Sequence, residues 1–96
     1  MLTIDDIEIK IKKYDREKQI IIVNIMICEK LEIRGFRVRY GRTKYSPNTP
    51  IWIASPPSIK IRSKYFWIVE FKDIDLWVEL EKRLINEARS YTNKTI

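Results

Sequence analysis

Residues 19–28 read QIIIVNIMIC, and this segment determines the architecture that we expect for the rest of the chain. Isoleucine and valine are β-branched and fit the pleated surface of a sheet, so the segment is predicted to be a strand. Because side chains alternate across a strand, this one has two apolar faces. One face consists of Ile21, Val23, Ile25 and Ile27, and the other of Ile20, Ile22 and Met26. Both faces are predicted to be covered.

The flanking segments predict an antiparallel sheet around this strand. Residues 7–11 alternate isoleucine with charged residues, which is typical of a half-buried strand, and a polar turn at 15–18 makes a hairpin with residues 19–28. Gly35 predicts a bulge or a close backbone approach within the next strand. Residues 58–64 are either a loop or an edge strand. The five predicted strands span about residues 4–13, 19–28, 31–40, 51–55 and 65–71.

The hydrophobic period changes near residue 73. Asp73 or Asp75 can cap a helix, which is predicted to span about residues 74–92. Its apolar stripe repeats every three or four residues and consists of Trp77, Leu80, Leu84, Ala88 and Tyr91. The predicted fold class is therefore α+β, a single domain over residues 1–96 with about five antiparallel strands and one C-terminal helix packed on the sheet.

One helix can cover only one face of a sheet. The predicted strands at 20–28 and 65–71 are apolar on both faces, so part of the second face needs a cover from outside the monomer. A second copy of the chain is the simplest cover, and we expect a homodimer. In the alternative, Trp52 and Trp67 face a ligand.

The charged residues are sorted along the chain. Between Ile33 and Val69 there are eight basic residues and no acidic one, while the rest of the chain has 11 basic against 13 acidic residues. The formal net charge of +6 is therefore +8 in the middle and −2 elsewhere. Such a local positive field favours a polyanionic partner, above all nucleic acid, over a solvated basic surface without a partner. The eight residues are Arg34, Arg37, Arg39, Arg42, Lys44, Lys60, Arg62 and Lys64.

Composition argues against several function classes. With no histidine and one cysteine, the chain predicts no internal disulfide and no zinc site, and we expect no other metal and no cofactor. No histidine, Gly-rich phosphate loop or nucleophile elbow supports an enzyme. The longest apolar run is too short for a bilayer and the N-terminus is acidic, so we expect a cytoplasmic protein without a membrane partner. Cys28 is expected to be buried.

Three segments, taken in order, resemble the SpoVG family (stage V sporulation protein G, septation regulator). They are IDDIEI at residues 4–9, EIRGFRV at 32–38 and IWIASP at 51–56, within a match that runs from about residue 4 to 87. The resemblance implies a small dimeric regulator that binds DNA, and in some members RNA, without catalysis. The chain departs from the family pattern before its helix, where Phe71-Lys72-Asp73 replaces a usual His-Pro pair, and at Pro56-Pro57-Ser58. Target preference is therefore not carried over.

The strongest candidate site is the pair Arg37 and Arg39. Two residues apart on a strand, they project from one face about 7 Å apart. Nearest phosphates of a nucleic-acid strand are spaced on a comparable scale, and the planar guanidinium matches phosphate oxygens. The alternative is cross-strand ion pairing with Glu8 or Glu29.

Two further groups complete the predicted site. Arg42, Lys44 and Tyr45 lie in a loop, where the cations can reach a backbone and the tyrosine can stack on an unpaired base. The alternation at 59–64 predicts one basic row from Lys60, Arg62 and Lys64, with edge-strand protection as the alternative. Core packing is favoured over base stacking for the tryptophans.

We therefore expect a small dimeric nucleic-acid-binding regulator that uses a basic surface and has no catalytic activity, with DNA favoured over RNA. The alternative is a protein–protein interaction module of the same fold, such as an adaptor or an inhibitor from a virus or mobile element. Nucleic-acid binding is favoured if the acid-free middle of the chain forms one face.

Overall fold

A computed structural model describes residues 2–44 and 46–94, which form a four-stranded antiparallel sheet, a separate two-stranded hairpin and one helix that packs on the sheet. A short 3₁₀ turn at Ile4–Asp6 precedes the first strand. The strands are β1 (Ile7–Asp15), β2 (Ile20–Ile27), β3 (Leu31–Gly41), β4 (Ile51–Ser55), β5 (Ser58–Ile61) and β6 (Lys64–Trp67), followed by helix α1 (Ile74–Lys94).

The α+β class predicted from the sequence is confirmed, with one change in the sheet. The sheet has the order β1-β2-β3-β4, and every neighbouring pair is antiparallel. The segment that reads QIIIVNIMIC supplies β2, which forms the expected hairpin with β1 and lies in the interior of the sheet. The predicted fifth strand is absent from it, because β6 pairs with β5 in a sheet of its own.

Helix α1 covers one face of the sheet and builds the core there. The fully buried side chains of the sheet on this side include Ile21, Val23 and Ile25 of β2 and Phe36 and Val38 of β3. The helix contributes Leu80, Leu84 and Ala88 of the predicted stripe and also Leu76, while Trp77 is half-buried against this core. Burial of such branched and aromatic side chains contributes about 1.5–3 kcal/mol each, so this layer supplies most of the stability of the fold.

The start of α1 follows the capping rule. The Asp73 Oδ1 atom accepts a hydrogen bond from the backbone N–H of Leu76 at 3.1 Å, which identifies Asp73 as the cap. Just before it, Phe71 stacks against Trp77 with ring centroids 5.4 Å apart. Within the described part of the chain, no helix is long and apolar enough to cross a membrane.

The bulge predicted at Gly35 is present. The pairing of β2 with β3 shifts between Val23 and Ile25, and Gly35 has φ +96°, a conformation that L-residues rarely adopt. Its N–H donates to the Asn24 Oδ1 atom at 3.3 Å. The bulge adds one residue to β3, so that the apolar side chains before it and after it lie on the same face of the sheet.

The prediction for residues 65–71 is wrong in its length and its environment. The strand ends at Trp67, and its four residues are all exposed rather than buried on two faces. The chain leaves the ladder at Ile68, whose N–H donates to the Pro57 carbonyl at 2.8 Å, and Phe71 then enters the core. The aromatic residues that indicated a core strand therefore have two different environments: those of β6 are exposed, and Phe71 packs against the core.

Smaller differences concern element ends and the cysteine. Residues 4–6 form the 3₁₀ turn rather than the start of a strand, and β1 continues to Asp15, two residues past the predicted end. The helix continues to Lys94. Cys28 is exposed, contrary to expectation, because the chain turns there with φ +53° and leaves the sheet.

Candidate nucleic-acid interface

The face of the sheet opposite α1, which we call the open face, bears alternating basic and apolar side chains. The strand register places them in rows across the sheet. One row is Lys13, Ile22, Arg37 and Ser55, and the next is Asp15, Ile20, Arg39 and Ile53. The second face of β2 is therefore half-buried among its neighbours, rather than covered by an apolar layer.

Arg37 and Arg39 lie exposed on the open face, two residues apart on β3 as predicted. Among residues 2–44 and 46–94, no carboxylate forms an ion pair with either arginine, so the structure does not support the alternative of pairing with Glu8 or Glu29. In the row that contains Arg39, the Asp15 Oδ1 atom instead accepts a hydrogen bond from the backbone N–H of Lys18 at 3.2 Å. Two guanidinium groups thus remain available to an anion from solution.

The β5–β6 hairpin forms the second wall of a groove beside these arginines. The groove has a volume of about 360 Å³. We call it the basic groove, and it is lined by Ile20, Arg37, Arg39, Ser55, Ser58, Tyr65 and Trp67. It therefore places two cations next to two aromatic rings.

A shallow depression continues from Arg39 along the edge of the sheet. It is lined by Arg39, Arg42, Thr43, Lys44, Ile51 and Ile53, with a volume of about 630 Å³. Two of the loop cations predicted for the site are thus next to the arginine pair. The third predicted loop residue, Tyr45, lies outside the described residues. The basic groove and this depression share Arg39, so they form one continuous basic surface.

The hairpin does not place its three basic residues in one row, which corrects the prediction. Arg62 and Ser63 form the turn, with φ values of +50° and +66°. A two-residue turn that matches the right-handed twist of the two strands requires a positive φ at both of its central residues. Lys60 pairs with Tyr65 and Lys64 pairs with Ile61. Because side chains alternate, Lys60 shares the face of Tyr65 and Trp67, while Lys64 is on the opposite face.

Lys60 is associated with the aromatic wall of the groove. Its Nζ atom is 5.7 Å from the centroid of the Tyr65 ring, within the range of a cation–π contact. Tyr65 itself is 62% exposed and Trp67 is 58% exposed. The hairpin therefore presents one ammonium group and two open ring faces on the same side.

Arg34 is separated from the other arginines by its own ion pair. Its Nε atom donates to Glu32 Oε1 at 2.7 Å. The hydrogen bond from Arg34 lowers the pKa of Glu32 more than desolvation raises it, and the charges of Arg34, Lys10 and Lys12 make smaller contributions that also lower it. One of the eight central basic residues is thus already neutralised by a carboxylate.

The three tryptophans have different environments. Trp52 and Trp77 are half-buried against the core, as expected for packing residues. For Trp67 the expectation of core packing is wrong, since the hairpin holds it beside the arginines. Tyr65 is a further residue of this site that is not among the candidates predicted from the sequence. Its signal was the alternation in residues 58–61 and 64–67 around two central residues, a length typical of a tight hairpin.

The arrangement is chemically suited to an anion that carries flat rings. Exposed guanidinium groups bind phosphate oxygens, and exposed aromatic rings stack on bases. Comparisons of the chain with known protein families, curated proteins and solved structures gave no match.

Proposed function

We propose that this protein is a small nucleic-acid-binding regulator that acts through the basic groove, without catalysis, and that DNA is its target in preference to RNA. The observation that carries the proposal is the arginine pair on the open face. Arg37 and Arg39 have no carboxylate partner among the described residues, although the chain contains 13 acidic residues. Two neighbouring cations kept clear of carboxylates favour an external anion.

Phosphate contacts would supply most of the affinity. Each arginine can donate two parallel hydrogen bonds to a phosphate, and charge-assisted bonds of this kind are about twice as strong as neutral ones. Arg42 and Lys44 extend the positive surface along the edge of the sheet. Contacts to phosphates carry no sequence information, so we expect slight sequence preference.

Salt dependence tests this proposal directly. If four phosphates are neutralised by one protomer, the logarithm of the association constant should fall with the logarithm of salt concentration with a slope of roughly −3 to −4, and twice as steeply for a dimer. The measurement is fluorescence anisotropy of labelled oligonucleotides between about 50 and 200 mM salt. Affinity that does not change over this range, or no binding at low salt, would contradict the proposal.

We propose also that the chain is SpoVG-like and forms a homodimer, as the sequence motifs imply. The outer hairpin face, where Ile59, Ile61 and Phe66 lie beside Lys64, is the surface that favours a second copy, since each of the three apolar side chains is about half exposed. An apolar surface of this kind is stabilised by burial against its symmetry mate. The change Phe66→Lys should shift the protein to a monomer in sedimentation equilibrium. A wild type that is monomeric at every concentration would contradict it.

The same outer hairpin face supports a second candidate function, a protein–protein interaction module. An exposed apolar strand can bind another protein as well as a second copy. Retention on heparin and an oligonucleotide shift, each at two salt concentrations, discriminate between the two functions. Binding to heparin or to the oligonucleotide would not be expected of an adaptor. A cytoplasmic location, which the single free cysteine favours, is compatible with both.

A further inference from the structure

We propose that the basic groove binds an unpaired nucleotide strand, with bases stacked on Tyr65 and Trp67 and phosphates held by Arg37 and Arg39. This inference rests on the proposed function and names its substrate class. The proposal concerns the shared chemistry of single-stranded DNA and RNA, which the experiment below separates.

Two aromatic rings of the groove are exposed to solvent. Tyr65 and Trp67 are each more than half exposed, whereas the other two tryptophans of the chain pack against the core. A folding chain gains free energy by burying such rings, and Phe71, four residues beyond the end of β6, does pack against the core. Rings held in water next to cations therefore indicate a partner that covers them when it binds.

The two walls of the groove have the same repeat. Arg37 and Arg39 are separated by two residues on β3, and Tyr65 and Trp67 by two residues on β6. Both pairs therefore repeat at about 7 Å along their strands. A nucleotide strand has a phosphate on one side and a base on the other, repeating together. The groove thus offers one cation and one ring to each of two successive nucleotides.

The aromatic wall of the groove is held in place by contacts within the protein itself. Pro56 and Pro57 are buried at the base of the hairpin. The Ile68 N–H closes that base by donating to the Pro57 carbonyl at 2.8 Å. The tight turn at Arg62 and Ser63 fixes the register between β5 and β6. A wall held in this way loses little conformational entropy on binding.

A double helix does not match this arrangement. In a duplex the bases are stacked on one another, and protein rings can stack only on bases that are unpaired. The groove volume of about 360 Å³ also corresponds to a small-ligand site rather than a surface that fits a duplex. Duplex binding through phosphates alone would leave Tyr65 and Trp67 without a role.

The main experiment compares three labelled ligands by fluorescence anisotropy. They are an oligothymidine and an oligouridine of about 12 nucleotides and a DNA duplex of the same length. We expect both single strands to bind at least tenfold more tightly than the duplex. Their ratio shows whether DNA or RNA is preferred.

An aromatic variant and a control variant locate the effect on the predicted wall. Tyr65→Ala with Trp67→Ala should weaken binding of either single strand by at least about tenfold, since a stacked base is worth that much per ring. Ile74→Ala is the control, because Ile74 is an equally exposed apolar residue on α1 that lines neither the basic groove nor the outer hairpin face. It should leave single-strand affinity within twofold. Equal losses in both variants would overturn the assignment of the groove.

A third variant gives a direct readout that does not depend on affinity. Trp67→Phe keeps a ring for stacking and should retain single-strand binding. Addition of the oligothymidine should quench tryptophan emission in the wild type, and this quenching should disappear in Trp67→Phe. Quenching that persists in Trp67→Phe would show that the bases do not reach Trp67 and would overturn the inference.

The failure of this inference differs from the failure of the proposed function. If duplex and single strands bind equally and the double alanine variant binds both normally, the groove has no stacking role, but phosphate binding stands. If no oligonucleotide binds at low salt, the proposed function itself is wrong. If the double variant changes only the sedimentation behaviour, the rings belong to a subunit interface and the inference is overturned.

Discussion

The two faces of the sheet use the same alternating strands for opposite purposes. On the face under α1, Val23, Phe36 and Val38 are fully buried and their neighbours are apolar. On the open face, the next residues along the same strands include Arg37 and Arg39, which remain exposed. Period-two alternation thus places the buried apolar side chains on one face and the exposed arginines, which we propose bind an anion, on the other.

The consequence is that changes to the two faces should have separable effects. Packing energy depends on shape and volume, so truncations under the helix should change stability without changing the groove. Electrostatic affinity depends on a few exposed charges, so changes on the open face should alter binding without unfolding the chain. Each prediction below tests or refines that separation.

The largest expected effect is on the covered face. Leu80→Ala removes a fully buried side chain in the middle of α1 and should lower the free energy of unfolding by about 2–5 kcal/mol. Urea denaturation monitored by circular dichroism measures it. Lys82→Ala, exposed on the same helix, is the control and should have little effect. Oligonucleotide affinity, measured well below the unfolding midpoint, should be unchanged in both variants.

The next effect is on binding. Arg37→Glu with Arg39→Glu should weaken nucleic-acid binding by more than about 100-fold, since each charge-assisted contact contributes roughly 1.5–3 kcal/mol. The salt slope should become shallower by about 1.4–1.8. Lys82→Glu with Arg89→Glu changes the net charge equally on the exposed side of α1 and should have a much smaller effect. Loss of secondary structure in the first variant would show that the arginines are structural.

A smaller effect on stability is expected at the Gly35 bulge in β3. Gly35→Ala places a Cβ atom at a residue with φ +96° and should cost about 1–2 kcal/mol of stability. The nearest atom would be Pro57 Cβ at 3.8 Å, an ordinary contact, so backbone strain and not a clash is the cause. Gly41→Ala, with nothing within 4 Å, should be neutral or stabilising by up to about 1 kcal/mol. Equal destabilisation in both variants would contradict this account.

The sequence was most informative where a period and an apolar face coincide. Most of the helix stripe, the hairpin of β1 with β2 and the bulge at Gly35 follow from local sequence patterns, and the structure confirms all three. The length of the last strand did not follow, because Tyr65, Trp67 and Phe71 are equally apolar. Tertiary contacts decide that Phe71 packs against Trp77 and that the other two rings do not.

The candidate site was predictable only in part. The alternation on β3 gave Arg37 and Arg39, because strand geometry alone places them on one face. The row expected from Lys60, Arg62 and Lys64 required knowledge of the turn, and a turn at Arg62 and Ser63 separates Lys60 from Lys64. Charge counting also could not show that Arg34 is paired, since Glu32 lies outside the acid-free stretch but within reach of Arg34.

The smallest expected effect concerns that ion pair. Because Arg34 lowers the pKa of Glu32 in the folded state, the pair contributes stability above the unfolded-state pKa of about 4.3 and loses it as the pH falls through the folded value. Glu32→Gln should therefore differ from the wild type in thermal midpoint at pH 7. The difference should be small, because the ion pair is screened by water, and it should vanish in acid. Thermal scans from neutral to acidic pH measure it. A difference that persists unchanged in acid would mean that Glu32 acts through packing on the open face, and the division of stability between the two faces would then be less complete.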